Sequence, residues 1–226
     1  MPTLTFKLDQ EKDIHNAWEL CNIPLLWAEP SEKKPLEIDY KELWKNRSFE
    51  DCREEILKSV EKLYSLGIVE AFRTGIEKSW IALNDSYFER LERITRRQIY
   101  TDNFTAYVTT VGRCPYNIKD NSFMLSIKRP LLQCLRTSGH ELMHLQFSHY
   151  FWKKTAEQIN NEKADSLNEA LTVLLNLEFR DLWLVEDEGY PMHKELRGFI
   201  SKEWKKESDF DTLIEKCIEY FKGKWK

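Results

Sequence analysis

Residues 137–145 read Thr137-Ser138-Gly139-His140-Glu141-Leu142-Met143-His144-Leu145. Residues four positions apart on an α-helix lie one turn above each other on the same face, so His140 and His144 can direct two imidazoles at one metal ion. Glu141 lies beside this pair, where a carboxylate can take a proton from a metal-activated water without binding the metal itself. The stretch therefore predicts a metal-binding helix that also carries a general base.

Chance is a poor explanation for this pattern. The chain has 5 histidines and 38 acidic residues among 226, and at these frequencies a His-acid-x-x-His pattern is expected roughly 0.02 times per chain. Leu142, Met143 and Leu145 are uncharged, as a helix that buries its metal-bearing face requires. The alternative reading is a pair of helix histidines that are merely hydrogen-bonded within a core.

The segments around the motif change from a strand period to a helical one. Alternation with a period of two predicts strands over about 105–111 and 123–127, which we interpret as a hairpin leading into the motif helix. Helical spacing then predicts a helix from about residue 131 to past residue 151, another over about 161–177 and a last one over about 210–221.

The N-terminal part of the chain is less regular. Helical spacing predicts a helix from Ser48 to Gly67 and another from residue 84 or 85 to about 98, whereas residues 68–83 fit neither period. Residues 1–45 contain a short alternating segment and an aromatic stretch interrupted by prolines. We therefore divide the chain into a mainly helical N-terminal region of unassigned role, residues 1–100, and a core, residues 101–226. The predicted fold class is α+β, mostly helical, with a small antiparallel sheet or hairpin packed on the motif helix.

The stretch from residue 137 to residue 145 resembles the HExxH helix of the zincin metallopeptidases, although Gln146 stands where the extended pattern has an apolar residue. The resemblance covers about residues 104–177. It implies a zincin-like core and Zn²⁺ as cofactor, with His140 and His144 as ligands. It also implies hydrolysis of peptide bonds by metal-activated water, with Glu141 as general base.

A catalytic zinc ion usually has a third protein ligand. His149 lies five residues beyond His144, about 140° around the helix, so it is unsuitable. A polar stripe further along the chain offers carboxylates, although on an ordinary amphipathic helix such a stripe is a solvated face. Its members are Glu162, Asp165, Glu169, Thr172 and Asn176.

The segment Asn168-Glu169-Ala170 resembles the one that supplies the third ligand in the gluzincins, the zincins whose third ligand is a glutamate. The resemblance makes Glu169 the predicted ligand, with Asp165 or Glu162 as alternatives and the rest of the stripe around the site. We also expect Asp165 to accept a hydrogen bond from a ligand imidazole, since Val173 stands where thermolysin-like enzymes carry an aspartate.

The resemblance implies two further features of the site. Zincins carry a tyrosine or histidine that stabilises negative charge on the reacting carbonyl oxygen, and Tyr190 and His193 are the nearest downstream candidates. The strand over 105–111 would be the edge strand that pairs with the main chain of an extended substrate. The expected partner is therefore a peptide or protein substrate.

Composition limits the other classes of function. With 34 basic and 38 acidic residues the net charge is -4, so we expect neither nucleic acid nor membrane as a partner, although a local basic patch is left open. The N-terminus lacks the features of a signal peptide and no apolar run is long enough to span a bilayer, so we expect a cytoplasmic protein. Five widely spaced cysteines are expected to be reduced thiols.

Three other functions stay open at this point. A non-peptidase zinc hydrolase would use the same kind of helix, although the chain lacks the Cys-containing segment that deformylases use. An inactive zincin-fold protein could serve as a binding or regulatory module. A purely helical interaction protein would need no metal at all.

Overall fold

A mixed four-stranded sheet lies within a mostly helical chain, in a computed structural model that describes residues 1–23 and 43–224. The strands are β1 (Thr3–Lys7), β2 (Asn103–Thr109), β3 (Tyr116–Asn117) and β4 (Ser122–Ser126). Their order across the sheet is β1-β2-β4-β3. Strands β1, β2 and β4 run parallel to one another, and β3 runs antiparallel to β4. This combination of a small sheet and many helices agrees with the predicted α+β class.

The described helices lie between β1 and β2 and after β4. They are α1 (Gln10–Asn22), α2 (Phe49–Ser65), α3 (Ile68–Ile81), α4 (Asn84–Thr95), α5 (Leu131–Phe147), α6 (Lys153–Ile159), α7 (Asn161–Leu171), α8 (Leu174–Glu178), α9 (Arg180–Trp183), α10 (Lys194–Lys206) and α11 (Phe210–Lys224). A π-helical turn, Ser148–Trp152, joins α5 to α6, and a 3-10 turn, Pro191–His193, precedes α10.

Most of the predicted helices are confirmed. Helix α2 begins as expected at Ser48, whose hydroxyl accepts a hydrogen bond from the Asp51 N–H at 3.2 Å, and α4 and α11 match their predictions. The helix predicted from about residue 131 to past residue 151 corresponds to α5, which ends at Phe147, together with the π-helical turn that continues it. The helix predicted over 161–177 is divided into α7 and α8. Between them the backbone hydrogen bonds join residues three positions apart instead of four, as in the bond from the Val173 N–H to the Ala170 carbonyl oxygen. Residues 68–81, which fitted neither period, form α3 and bury only Val69, Ile76 and Trp80. That buried set is too sparse to produce a clear helical pattern.

The predicted antiparallel pairing of the strands at 105–111 and 123–127 is wrong. Strands β2 and β4 are parallel, and the only antiparallel pair among the described strands joins β3 to β4. The prediction that residues 105–111 form an edge strand is also wrong, because β2 lies between β1 and β4. Side chains alternate in the same way along parallel and antiparallel strands, so the local sequence does not reveal the direction of pairing. Among the described residues, the edge strands are β1 and β3.

The larger hydrophobic core lies between the sheet and the helices that cover one of its faces. It includes Phe6 and Trp80 from the N-terminal part of the chain and Leu125, Leu142 and Leu174 from the rest. Side chains from both sides of residue 100 thus contribute to it. The division of the chain at that residue stays a prediction about domain organisation, and residues 24–42, with most of the aromatic and proline-rich stretch, lie outside the described residues.

Two polar residues of α1 bind the opposite face of the sheet. The Asp13 carboxylate accepts hydrogen bonds from the Thr109 hydroxyl at 2.6 Å and the Thr110 N–H at 2.9 Å. The Asn16 amide donates to Thr109 Oγ1 at 3.0 Å and to the Arg113 carbonyl oxygen at 2.9 Å. Both side chains are buried. Helix α1 is therefore held in place on the end of β2 and on the loop that follows it.

Two expectations from composition concern the whole chain. In the part of the chain that the structure describes, no helix is long and apolar enough to cross a membrane. All five cysteines are described and none of them is in a disulfide.

Candidate metal centre

The motif helix α5 packs closely against its neighbours at Gly139, the residue before the first histidine. A Cβ atom at this position would lie 2.7 Å from Cη2 of Trp183 and 2.9 Å from Cε2 of Tyr87, both nearer than such atoms approach in proteins. The Tyr87 hydroxyl also donates a hydrogen bond of 2.6 Å to the Gly139 carbonyl oxygen. The absence of a side chain at Gly139 therefore lets two buried aromatic rings fix the position of α5.

Three side chains from two helices meet beside this contact. His140 and His144 project from α5 with their ring centroids 4.4 Å apart, and Glu169 projects from α7. His140 Nε2 lies 3.7 Å from Glu169 Oε2, and His144 Nε2 lies 3.4 Å from Glu169 Oε1. One potential ligand atom from each residue lies within 4.8 Å of the other two. The structure brings together the three residues that were predicted as metal ligands.

Each of the two imidazoles is held through its Nδ1 atom. His140 Nδ1 lies 2.9 Å from Asp187 Oδ2, and His144 Nδ1 lies 3.0 Å from Asn168 Oδ1. Carboxylate and amide oxygens only accept hydrogen bonds, so each Nδ1 carries the hydrogen. In the neutral tautomer, the Nε2 lone pair of each ring is then available to a metal ion, as is usual for histidine ligands.

Asp187 is the centre of a buried polar network. Its carboxylate lies 2.9 Å from Arg136 Nη1 and 3.1 Å from Arg197 Nη2, and it accepts a hydrogen bond of 3.2 Å from the Thr172 hydroxyl. The Asn176 side chain pairs with the Asp187 backbone by donating to its carbonyl oxygen at 2.8 Å and accepting from its N–H at 2.7 Å. Two members of the predicted polar stripe therefore position the residue that orients His140.

The electrostatics of the site favour a cation. Burial opposes ionisation of Glu169, but the adjacent imidazoles outweigh this effect and hold the pKa of Glu169 well below its ordinary value. Burial likewise opposes a charge on His140, but the Asp187 carboxylate, with help from Glu169, outweighs it and raises the pKa of His140 to about 10. The carboxylates are thus ionised and attract positive charge, either as a proton on His140 or as a metal ion.

The spacing of the three donor groups is compatible with a metal ion of the size of zinc. Tetrahedral ligand atoms at about 2.0–2.1 Å from zinc lie about 3.3 Å from one another, close to the observed separations of 3.4 Å and 3.7 Å. His144 Nε2 is buried and has no hydrogen-bond partner within residues 1–23 and 43–224, a state that costs free energy unless the atom binds something else. Two imidazoles and one carboxylate also form a donor set typical of catalytic zinc.

Glu141 lies next to the ligand group without joining it. Its side chain is buried, and this burial raises the pKa of Glu141 above its ordinary value, while the positive charges of His140 and His144 partly oppose the rise. A carboxylate with a raised pKa is a stronger base. The burial and the raised pKa of Glu141 are therefore compatible with the role that its place in the motif predicts, which stays a prediction.

Tyr190 directly precedes the 3-10 turn that packs on α7, and His193 is the last residue of that turn. Burial raises the pKa of Tyr190 to about 12, and the charges of Glu169 and Glu141 act in the same direction. Burial lowers the pKa of His193, and the negative charge of Glu169 partly opposes this decrease. Both side chains are thus within electrostatic range of the ligand group, and their predicted role in stabilising a carbonyl oxygen stays a prediction.

Two predictions about neighbouring carboxylates are not supported by the structure. Asp165 does not hold a ligand imidazole, because both Nδ1 atoms have other partners and the Asp165 carboxylate accepts a hydrogen bond of 2.7 Å from the Trp152 indole. Glu162 is exposed in the first turn of α7. Neither residue belongs to the group that could bind a metal. The alternatives to Glu169 are therefore not placed with the histidines.

Sequence reasoning missed the residues that orient the two histidines. Asn168 immediately precedes Glu169, so it could have been recognised as a neighbour of the site once α7 was placed against α5. Asp187 lies in an irregular acidic segment with Glu186 and Glu188, and no periodicity marks it. Only the path of the chain after α9 brings it beside His140.

Comparison with known proteins provides no assignment: no family model, curated protein or solved structure matches the chain. The ligand group and its surroundings therefore carry the functional interpretation.

One more aromatic residue lies at the site. The Tyr116 ring, in the edge strand β3, lies 5.3 Å from the His144 ring between centroids, and the Asn168 amide donates a hydrogen bond of 3.4 Å to the Tyr116 hydroxyl. The edge of the sheet nearest to the ligand group is therefore β3.

Proposed function

We propose that this chain is a zinc-dependent metallopeptidase of the zincin type that hydrolyses peptide bonds. The observation that carries the proposal is the convergence of His140, His144 and Glu169, with both Nδ1 atoms held and both Nε2 atoms facing one carboxylate. A core that merely buried two histidines would not require a third donor aligned with both of them.

His140, His144 and Glu169 would hold the metal ion. When bound there, zinc would act as a Lewis acid that polarises a carbonyl group and lowers the pKa of a bound water molecule. Asp187 and Asn168 keep the two imidazoles in the required tautomer and orientation. The protein thus provides a fixed site whose donors need little rearrangement.

Glu141 would act as the general base. It takes a proton from the attacking water and later passes it to the nitrogen of the departing amine, as a carboxyl group with a raised pKa can do. Its burial raises its pKa and so supports this role. Tyr190 or His193 would donate a hydrogen bond to the carbonyl oxygen as negative charge develops on it.

The position of the ligand group favours peptides over other substrates with a carbonyl group. Strand β3 is an edge strand, and its Tyr116 lies against His144. The main chain of an extended peptide can pair with an exposed strand edge, which would hold a peptide bond near the site. This role replaces the one that was predicted for residues 105–111.

The direct test compares the wild type with Glu141→Gln and, as a matched control, Glu162→Gln at an exposed position of α7. Bound zinc is measured by mass spectrometry, and hydrolysis is measured with a mixture of fluorogenic peptides. We expect stoichiometric zinc in all three proteins, and a loss of turnover of about 100- to 10,000-fold in Glu141→Gln alone.

Three outcomes would contradict the proposal in different ways. If the wild-type protein takes up no stoichiometric zinc, the proposed metal centre is wrong. If Glu141→Gln hydrolyses peptides as fast as the wild type, Glu141 is not the general base. A zinc-loaded wild type that cleaves no peptide would favour the non-peptidase or binding-module alternatives.

A further inference from the structure

A cavity of about 600 Å³ opens on the face of the sheet that α1 covers. Its walls are the exposed side of α1, the first residue of α2, and strands β2, β3 and β4. The ligand group lies on the other side of the sheet, where α5 packs. None of the proposed metal ligands lines the cavity, nor does Glu141, but Tyr116 lines it and lies against His144, so the cavity adjoins the candidate metal centre across β3.

Strand β3 forms the boundary between the cavity and the metal centre. Tyr116 is paired with Phe123, which is buried in the larger core, and its ring faces His144. Asn117 is paired with Ser122, and both residues line the cavity. Tyr116 and Phe123 also contribute to the lining of the cavity. Strand β3 therefore borders both sites, with the Tyr116 ring beside His144 and the Asn117 side chain on the opposite face of the strand.

The same alternation would apply to a peptide that pairs with β3. No described strand pairs with the outer edge of β3, and Asn117 in this strand is exposed, so this is the edge at which an added strand would pair. Side chains of that peptide would point in turn toward the metal centre and toward the cavity. The cavity is thus in the right place to receive every second side chain of a substrate.

The walls of the cavity are suited to a large apolar side chain. Phe49, Tyr107 and Met124 provide two rings and a thioether, and the His15 ring lies 4.9 Å from the Phe49 ring. Aromatic and thioether groups make favourable contacts with an aromatic ring placed among them. The cavity also has room for such a ring.

The charged groups around the cavity already have partners. The Lys12 ammonium lies 3.7 Å from Asp120 and 4.7 Å from the centre of the Tyr107 ring. Arg113 is paired with Glu19, and Glu11 is paired with Arg53. No charge in the described lining of the cavity therefore calls for an ionic ligand, which favours an uncharged occupant.

The cavity is also rigid on the side that α1 provides. Asp13 and Asn16 attach α1 to Thr109, Thr110 and Arg113 through buried hydrogen bonds. When a binding site is already formed in the free protein, less conformational entropy is lost on ligand binding than when the site must first become ordered. The second wall, around Tyr107 and Met124, belongs to the sheet itself.

The geometry points to a substrate-recognition site in this cavity, which takes bulky aromatic side chains at alternate positions of a peptide paired with β3. This inference rests on the proposed peptidase function, because it assigns the substrate class to that activity. It predicts a preference for extended peptides in which aromatic residues recur at every second position.

The test uses zinc-loaded full-length protein with the Glu141→Gln substitution, so that bound peptide is not hydrolysed. Two fluorescein-labelled hexapeptides are titrated by fluorescence anisotropy, one alternating Ala with Phe and the other alternating Ala with Glu. We expect the first peptide to bind at least about tenfold more tightly than the second, because it buries aromatic surface.

Two substitutions then fill the cavity from opposite walls, Met124→Trp from the sheet and His15→Trp from α1. Each should reduce the preference for the Phe peptide to about twofold or less. The matched control is Thr5→Trp, which adds the same side chain to the exposed face of β1 away from the cavity. It should leave the preference unchanged, and zinc content should be equal in every variant.

The inference is overturned if the two peptides bind equally, if neither binds, or if both cavity-filling variants keep the preference. Failure of the peptidase proposal would look different. In that case the aromatic preference and its loss on filling the cavity would persist in a chain that holds no zinc or cleaves no peptide.

Discussion

His140 Nδ1 lies 2.9 Å from Oδ2 of Asp187, a residue 47 positions later in the chain. This contact makes the orientation of one predicted zinc ligand depend on the segment that follows α9. The Asp187 side chain is almost fully buried and also pairs with Arg136 and Arg197. The candidate metal centre is therefore supported by a polar network that connects α5, the segment after α9, and α10.

Replacing Asp187 should weaken zinc binding while leaving all three ligands in place. The Asp187→Asn variant keeps the size of the side chain but removes the charge that holds the His140 imidazole, so we expect zinc affinity to fall by about 10- to 100-fold. Competition with a chromogenic chelator measures this affinity. Asp181→Asn, which changes an exposed partner of Arg90, is the matched control, and equal affinities of the two variants would exclude a role for Asp187 at the centre.

The third ligand can be identified by comparing carboxylates of the same helix. Glu169→Gln removes the charge that both imidazoles face. We expect zinc affinity to fall by more than about 100-fold, which is the largest loss typical of substitutions at residues that only hydrogen-bond to a metal ligand. Asp165→Asn alters a residue that is bonded to Trp152 instead, so its zinc affinity should match the wild type. Retention of tight zinc binding by Glu169→Gln, together with loss in Asp165→Asn, would reverse the assignment.

Tyr190→Phe separates catalysis from metal binding. If the Tyr190 hydroxyl stabilises the carbonyl oxygen as charge develops, kcat should fall by about 10-fold or more with unchanged zinc content. A rise in KM without a change in kcat would instead indicate that Tyr190 contributes only to substrate binding. The same measurement on His193→Gln shows which of the two residues has this role.

Gly139 is expected to tolerate no side chain. The Cβ of Gly139→Ala would press on the buried rings of Trp183 and Tyr87, and we expect a loss of about 1–3 kcal/mol in the free energy of unfolding in urea. Gly75→Ala is the control, because a Cβ at this position of α3 meets no atom within 4 Å. It should be neutral or stabilise by up to about 1 kcal/mol through helix propensity. Equal effects of the two variants would contradict the close packing of α5.

Stability should depend on pH through Asp13. Burial raises the pKa of Asp13 above its usual 3.8, although hydrogen bonds from Thr109 and Thr110 partly oppose this. The folded state then holds the proton more tightly than the unfolded state, so this contribution is complete at low pH and is lost as pH rises through the folded pKa.

Asp13→Asn lacks this titration while sharing all the other ionisable groups of the chain. The free energy of unfolding of the wild type, relative to that of the variant, should therefore increase as pH is lowered from about 7 to about 4. Urea unfolding at several pH values measures the difference. A difference that is constant over this range, or that changes in the opposite direction, would contradict the raised pKa.

Several features were determined by the local sequence. The spacing of His140 and His144 specifies their relation on any helix, because helical geometry is a property of the backbone. Helices with a clear apolar stripe or an N-cap, such as α2 with Ser48, were predicted for the same reason. Glu169 was predicted from a resemblance, with two other carboxylates left open, and the structure selected it by placing it opposite both histidines.

Only the tertiary structure decided which distant segments meet. Alternation predicted β2 and β4 but not their parallel pairing, nor that β1, from about a hundred residues earlier in the chain, covers the other side of β2. The partner of His140 was likewise hidden, because Asp187 follows no periodic pattern and approaches only through the path of the chain. Local periodicity reports which face of a segment is buried. What covers that face depends on packing among residues far apart in sequence, and for this protein that packing aligns both imidazoles on Glu169.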